Sequence, residues 1–413
     1  MTPVTCRLCG APVTRTFVDL GSMPLANAYL RPEDLERLHG QEPRYPLHVL
    51  VCDRCLLVQV EGLVSPHDLF ADYAYFSSYS DSWVEHSRRF VSTAITTLDL
   101  GPSSLVVEVA SNDGYLLQHF VKAGVPVLGI EPAANVAAVA VGRGVPTDVA
   151  FFGRTTATRL VAERGRADLI VANNVLAHVP DLNDFVAGLA LALAPDGVLS
   201  VEFPHLLRLI EEAQFDTIYH EHFSYFSLLT AERALARHGL AAFDVEQLPT
   251  HGGSLRLWAA SAAAGRAPTA GLEEVRRMEA EAGMTQVETY AGFGPRVDRC
   301  RDQVLDFLSA ASAAGHSVVG YGAAAKGNTL LNYCGVTTSD IAYVADRSTE
   351  KQGRLLPGTH LPVEPPERIF ETRPDYVAIL PWNLRAEIEA QLSGIAAWGG
   401  RCVTFVPEVK IGT

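Results

Sequence analysis

Apolar runs in the middle of the chain end in small or polar residues and give way to stretches of helical period. Residues 104–109 form one such run, close at Ala110, Ser111, Asn112, Asp113 and Gly114, and pass into an apolar segment from Tyr115. Residues 125–130, 168–172 and 197–204 repeat the run, each ending on a polar or turn-forming residue. Such runs separated by helical segments predict βαβ units, hence a doubly wound sheet. Two more strands are predicted at 242–245 and 253–258, a linker at 261–268, and a mostly helical stretch at 272–314, where helix formers dominate. Residues 316–327 read as strand, glycine turn and helix, and 341–346 as a further strand, which begins a second α/β unit.

A length of 413 residues exceeds one small core and predicts two to three domains. With 48% apolar and 19% charged residues the chain can bury several cores. A net charge of −14 without a run of Lys or Arg argues against nucleic acid and anionic membrane surfaces as partners. No apolar stretch reaches the roughly 18 residues of a membrane span, and the first residues lack a signal pattern, so a cytoplasmic protein is expected.

Four of the seven cysteines form two pairs, Cys6/Cys9 and Cys52/Cys55, each Cys-x-x-Cys. Such a knuckle turns two thiolates toward one point, and two knuckles complete the tetrahedral sulfur shell that Zn²⁺ favours. A closed shell leaves no position for a catalytic water, so the predicted role is structural. Disulfides would contradict a reducing cytoplasm. The long insert leaves open whether both knuckles share one ion. Cys300, Cys334 and Cys402 read as small core residues.

The turn at 110–114 is a nucleotide-site candidate. Small residues permit close backbone approach, Glu108 can orient a ligand ammonium, and Glu131 stands about 20 residues on, where an acid accepts ribose hydroxyls. Asn173 and Asn174 end the third strand beside the same crevice. The full Gly-x-Gly-x-x-Gly pattern is absent and no phosphate-binding Lys follows, so the compact sulfonium nucleoside S-adenosylmethionine fits better than a dinucleotide. The competing reading is a pair of solvated acids at the ends of a structural sheet.

Residues 214–228 gather Tyr219, His220, Glu221 and His222 among aromatics. A His titrates near neutrality, a carboxylate can fix its tautomer, and a Tyr can donate to developing oxyanion charge. A solvated surface segment, or a metal site on the alternating histidines, are the other readings.

In joint order, the cysteine pairs, residues 75–83, 108–114, 214–227 and 320–329 resemble the nucleotide-sugar C-methyltransferases of deoxysugar biosynthesis, over essentially the whole chain. The resemblance implies an α/β protein with a central class I Rossmann-like methyltransferase domain, a small N-terminal zinc-binding module and a C-terminal Rossmann-like domain that helps hold the sugar nucleotide. It also implies a dTDP-linked 4-keto-deoxyhexose as substrate, methylated at C3 through an enolate, in antibiotic deoxysugar biosynthesis. The patterns place boundaries at 1–74, 75–262, 263–315 and 316–413. One departure is Ala110, where many methyltransferases carry Gly. The enolate chemistry assigns His222 as base, Glu221 as the group that orients or charges it, Tyr219 near the substrate oxygen and His178 as a second contact to the ketone. Tyr219 could equally be the base, and His220 could exchange roles with His222.

Tyr75, Phe76 and Tyr79 at the first junction form either a lid on the sugar or plain interdomain packing. The C-terminal turn, with Lys326, Asn328 and Thr329, can grip a substrate diphosphate. With Asp346 at the end of the next strand it carries part of a dinucleotide fingerprint, which keeps a nicotinamide oxidoreductase as the rival, beside a domain kept only for packing. Pro381, Trp382 and Asn383 face a base or sugar, or simply pack. Sugar 5-C- and O-methylation are the nearest alternatives within methyl transfer, and a zinc-containing binding protein without turnover is the other class.

Overall fold

The computed structural model describes residues 4–38, 41–61 and 76–412, and three sheets organise them. The first is an antiparallel meander of β1 (Arg15–Met23), β2 (Tyr45–Val51) and β3 (Val58–Val60). The central sheet begins with β4 (Val106–Val109), β5 (Val127–Glu131), β6 (Thr147–Val149), β7 (Ala167–Asn173) and β8 (Leu193–Pro204). A short strand, β9 (Ser224–Tyr225), then leaves the central body and pairs antiparallel with β3 in the first sheet. β10 (Leu240–Leu248) and β11 (Ser254–Ser261) complete the central sheet. The last sheet holds β12 (Val318–Tyr321), β13 (Val344–Ala345), β14 (Val363–Glu364), β15 (Tyr376–Ile379), β16 (Arg401–Thr404) and β17 (Lys410–Ile411).

The central order is β10-β11-β8-β7-β4-β5-β6, with β4 to β8 parallel and β11 antiparallel to both neighbours. From β4 the chain winds to β5 and β6 on one side and to β7 and β8 on the other. The switch point therefore lies beyond the carboxyl ends of β4 and β7, where such sheets take their ligands. The C-terminal order, β14-β13-β12-β15-β16-β17, repeats the device between β12 and β15. This is the expected α/β architecture of N-terminal module, central Rossmann-like sheet and C-terminal α/β sheet.

Strand periodicity makes the first sheet a wedge. Successive β residues face opposite sides. Leu47, Val49 and Val51 join one core with Phe215, Phe293 and Leu331, whereas Leu50 and Leu57 join another with Phe203, Phe226 and Leu255. Phe17 on β1 stacks on Phe293 at 4.4 Å. Phe293 opens the long helix Phe293–Ala313, which buries Val297, Cys300, Val304, Leu308 and Ala311 at helical spacing. Among the described residues no helix is long and apolar enough to cross a membrane.

Candidate functional site

The two knuckles converge. Cys6 Sγ lies 3.4 Å from Cys55 Sγ, Cys9 Sγ lies 3.6 Å from Cys52 Sγ, and all four sulfurs fall within 4.8 Å of one another. A tetrahedral zinc–thiolate shell has sulfur–sulfur edges of roughly 3.8 Å, so the four donors fit one ion. Both knuckles turn the same way, with a left-handed residue after the second cysteine: Gly10 at φ 73° and Leu56 at φ 64°. Cys300, Cys334 and Cys402 are buried free thiols, as expected.

At the central switch point, the amides of Ala110 and Ser111 donate to the Ile130 carbonyl at 2.7 and 3.2 Å, which draws the β4 turn over the end of β5. Ala110 adopts φ 56°, a left-handed conformation that favours glycine, which explains why the residue type is a departure. Gly114 has φ 76°, and a Cβ there would meet Val145 Cγ2 at 3.0 Å, so the turn tolerates no larger residue. Glu131 accepts from the Asn112 amide at 3.0 Å and the Ala133 amide at 2.9 Å, so it first builds the turn. Asn112 accepts from the Ser77 amide at 2.9 Å, and Asp113 pairs with Arg143 at 3.0 Å and holds Ser78. These residues anchor the segment Ser77–Tyr79 over the turn.

Glu108, in contrast, is buried with neither oxygen in a hydrogen bond of sound geometry. Burial, then Glu131 and Asp113, push its carboxyl well above the usual range, and the Tyr115 hydroxyl opposes them. Ser111 Oγ, Asn173 Oδ1 and both amide atoms of Asn174 are buried and unpartnered around the same strand ends. Buried polar groups are nearly always satisfied, so this convergence marks a place for a polar, cationic ligand. The residues present fit S-adenosylmethionine, a compact cation with polar edges.

The sequence candidates His178, Tyr219 and His222 come together. The His178 and His222 rings lie 4.7 Å apart edge to face, and the Tyr219 ring lies 4.0 Å from His222. His222 Nδ1 donates to the Thr217 carbonyl at 2.9 Å, and since a carbonyl only accepts, Nε2 is left unprotonated. Burial, His178, His251 and Lys326 together hold the His222 imidazole well below its ordinary pKa, against the Thr217 carbonyl. The ring is neutral at pH 7, with Nε2 as a proton acceptor.

The expected role of Glu221 is corrected. Its carboxylate does not touch His222; Oε1 accepts from Asn27 Nδ2 at 2.6 Å, and burial pushes the carboxyl up to about 7. His220 also turns away, bonding the Tyr45 carbonyl at 3.2 Å through Nε2. The Thr217 carbonyl supplies the tautomer control that the sequence reading gave to Glu221. Phe76 packs 5.4 Å from Tyr79, which is 64% exposed, while Tyr75 lies outside the described residues.

From the C-terminal side, Lys326 enters the same cleft. Its Nζ donates to Asn383 Oδ1 at 2.7 Å and lies 4.8 Å from the Trp382 ring centre, whose Nε1 donates to buried Asp216 at 2.7 Å. Asn328 and Thr329 do not join it. Asn328 Nδ2 donates to the Ala26 carbonyl, and Thr329 Oγ1 to that of Ile218, so both are used in docking the domain. Four participants went unread in the sequence: Asn27, Tyr29, Asp216 and His251. His251 has φ 53° ahead of two glycines and sets its ring edge-on to Trp83 at 5.3 Å. The His-Gly-Gly run was the available signal for it; Asn27 and Tyr29 carried none.

The glycine turn after β12 packs closely on its neighbours. Tyr29 and Lys351 both donate to the Ala323 carbonyl, at 2.6 and 2.7 Å, Asp346 accepts from the Ala323 amide at 2.7 Å, and a Cβ on Gly322 would strike Pro381 Cδ at 2.4 Å.

Family models match in three places: a zinc binding domain at residues 6–70, a methyltransferase domain at 83–245 and a C-methyltransferase C-terminal domain at 249–407. The C-methyltransferase NovU of Streptomyces niveus is 37% identical over 406 residues, covering 98% of this chain and 96% of its own. A ubiquinone biosynthesis O-methyltransferase of Rhodopseudomonas palustris is 25% identical over 152 residues, covering 32% of this chain and 60% of its own. The solved 1,6-didemethyltoxoflavin-N1-methyltransferase of Burkholderia thailandensis aligns with 50% of this chain and 94% of its own at 18% identity and a TM-score of 0.36, too distant to weigh on function.

Proposed function

Because the chain belongs to the C-methyltransferase family that includes NovU, and is an S-adenosylmethionine-dependent methyltransferase, we propose that its methyl acceptor is a carbon beside the ketone of a dTDP-linked 4-keto-deoxyhexose, C3 in particular. The observation that carries the reading is the neutral His222, with Nε2 unprotonated by its Thr217 bond, in a cleft that Lys326 enters from the C-terminal side. His222 Nε2 takes the proton from the carbon next to the ketone, and the negative charge moves onto the ketone oxygen. Tyr219 and His178, against the His222 ring, stabilise that oxygen. Lys326 balances the substrate diphosphate. Bound S-adenosylmethionine supplies an electrophilic methyl group, held by Glu108, the 110–114 turn with Glu131, and Asn173 and Asn174. The four cysteines hold one structural zinc outside the reaction.

The test is turnover of methyl-labelled S-adenosylmethionine with a freshly made dTDP-4-keto-dideoxyhexose in deuterated water, read by mass spectrometry and product NMR. A new carbon–methyl bond at C3 supports the reading. An O-methyl product removes the enolate step, and His222→Gln with rapid deuterium exchange at C3 removes His222 as base.

A further inference from the structure

We propose that Arg7, inside the first cysteine knuckle, is a positioning residue for His222, acting through the carbonyl and ring of Phe223. The proposal rests on the reading of His222 as the base. Three neighbours of His222 are tied to the N-terminal segment. His220 bonds the Tyr45 carbonyl, Glu221 accepts from Asn27, and the Phe223 carbonyl accepts from Arg7 Nη1 at 3.1 Å. His222 alone turns the other way, to Thr217. The turn that presents the base is thus held from behind by the zinc module, at positions on both sides of it.

Arg7 is built for this task. Its Nη1 also donates to the Val60 carbonyl at 2.7 Å, its guanidinium carbon sits 5.4 Å from the Phe223 ring centre, and its backbone amide donates to Gln59 Oε1 at 3.1 Å. Asn183 of the methyltransferase domain donates to the Arg7 carbonyl at 2.8 Å. Nη1 serves both carbonyls while the rest of the rigid, planar guanidinium lies near the Phe223 ring, a geometry that a flexible lysine side chain holds less firmly. Because Arg7 lies between Cys6 and Cys9, its path is set by the four-sulfur centre, and metal loss there would be felt at His222. The Val60 amide also donates to the Phe223 carbonyl at 3.1 Å, so the strand pairing survives removal of the side chain.

The groups facing His222 are His178, His251 and Lys326, the Thr217 carbonyl, and the rings of Tyr219 and Tyr225. A loosened turn weakens the Thr217 bond, which lowers the protonation midpoint and mixes the tautomers, and admits water, which raises the midpoint; burial is the larger cause of the two, so the midpoint should rise as the Nδ1-H tautomer fraction falls.

The experiment compares full-length, zinc-loaded wild type, Arg7→Met and Arg7→Lys by ¹⁵N-histidine NMR, with His222 assigned from its loss in His222→Gln. Wild type should show one tautomer. Arg7→Met should show a mixture, a midpoint raised by about one pH unit, and kcat reduced by about 10-fold or more at unchanged affinity for S-adenosylmethionine, with Arg7→Lys between. Arg7→Lys carries the test if Arg7→Met does not fold. Unchanged His222 signals in a folded variant with full zinc content overturn the proposal. If His222→Gln keeps wild-type kcat, the base reading fails, and the NMR comparison still decides what Arg7 does.

Discussion

Replacing Glu221 by Gln isolates the cost of a buried carboxylate beside the proposed base. Glu221 is 4% exposed, and Asn27 Nδ2 donates to its Oε1 at 2.6 Å, a bond that a Gln carbonyl can also accept. Burial raises the carboxyl from 4.5 to about 7, so the folded protein binds a proton there more tightly than the unfolded chain. The associated stability is present in full below pH 4.5 and is lost as pH rises through about 7, a change of about 3 kcal/mol. Gln does not titrate. Wild type and Glu221→Gln should therefore have similar stability near pH 5, and the variant should gain as pH rises, reaching about 3 kcal/mol at pH 8, on the order of 3–7 °C in Tm. Thermal unfolding followed by circular dichroism across pH 5–8 measures this. Parallel curves for the two proteins would refute the burial argument. Because Glu221 does not touch His222, the same variant should leave the His222 tautomer unchanged, whereas a Glu221–His222 pair would change it.

Glu108 predicts that cofactor binding takes up no proton but releases one. Its carboxyl is raised well above the usual range in the free protein, and a cationic ligand favours the ionised form, so affinity should rise with pH and calorimetry in buffers of different ionisation enthalpy should show release of about one proton. Cys52→Ser should abolish stoichiometric zinc in elemental analysis and lower Tm, because a structural metal contributes directly to folding. Ala110→Gly should stabilise the protein by roughly 1 kcal/mol in denaturant melts, since Ala110 holds φ 56°; a loss of stability would show that the methyl group packs usefully. Glu279→Ala should cost about 3 kcal/mol, because the buried carboxylate accepts from His205 at 2.7 Å and from the amides of Leu228 and Leu229 at the start of the helix Leu228–Ala236.

The sequence by itself determined what depends on nearby residues. Apolar runs followed by small-residue turns specified the βαβ units, because strand burial and helix entry are written in local spacing. The cysteine pairs pointed to zinc and the Glu108–Gly114 turn to a nucleoside, since both chemistries need fixed residue types a few positions apart. The His178–His222 pairing came through the chemistry a base requires, although the two residues are far apart in sequence. Only the tertiary structure decided where long-range hydrogen bonds go. Glu221 reads in sequence as the partner of its neighbour His222, yet its carboxylate accepts from Asn27, and a carbonyl five residues earlier accepts the hydrogen bond of the imidazole N–H. Asn328 and Thr329 resemble phosphate ligands until Ala26 and Ile218 are seen to occupy them. The same holds for the N-terminal module, whose meander continues into β9, two residues after His222. Side-chain direction in a turn, and the identity of a partner hundreds of residues away, follow from how three sheets pack, and no local pattern encodes that.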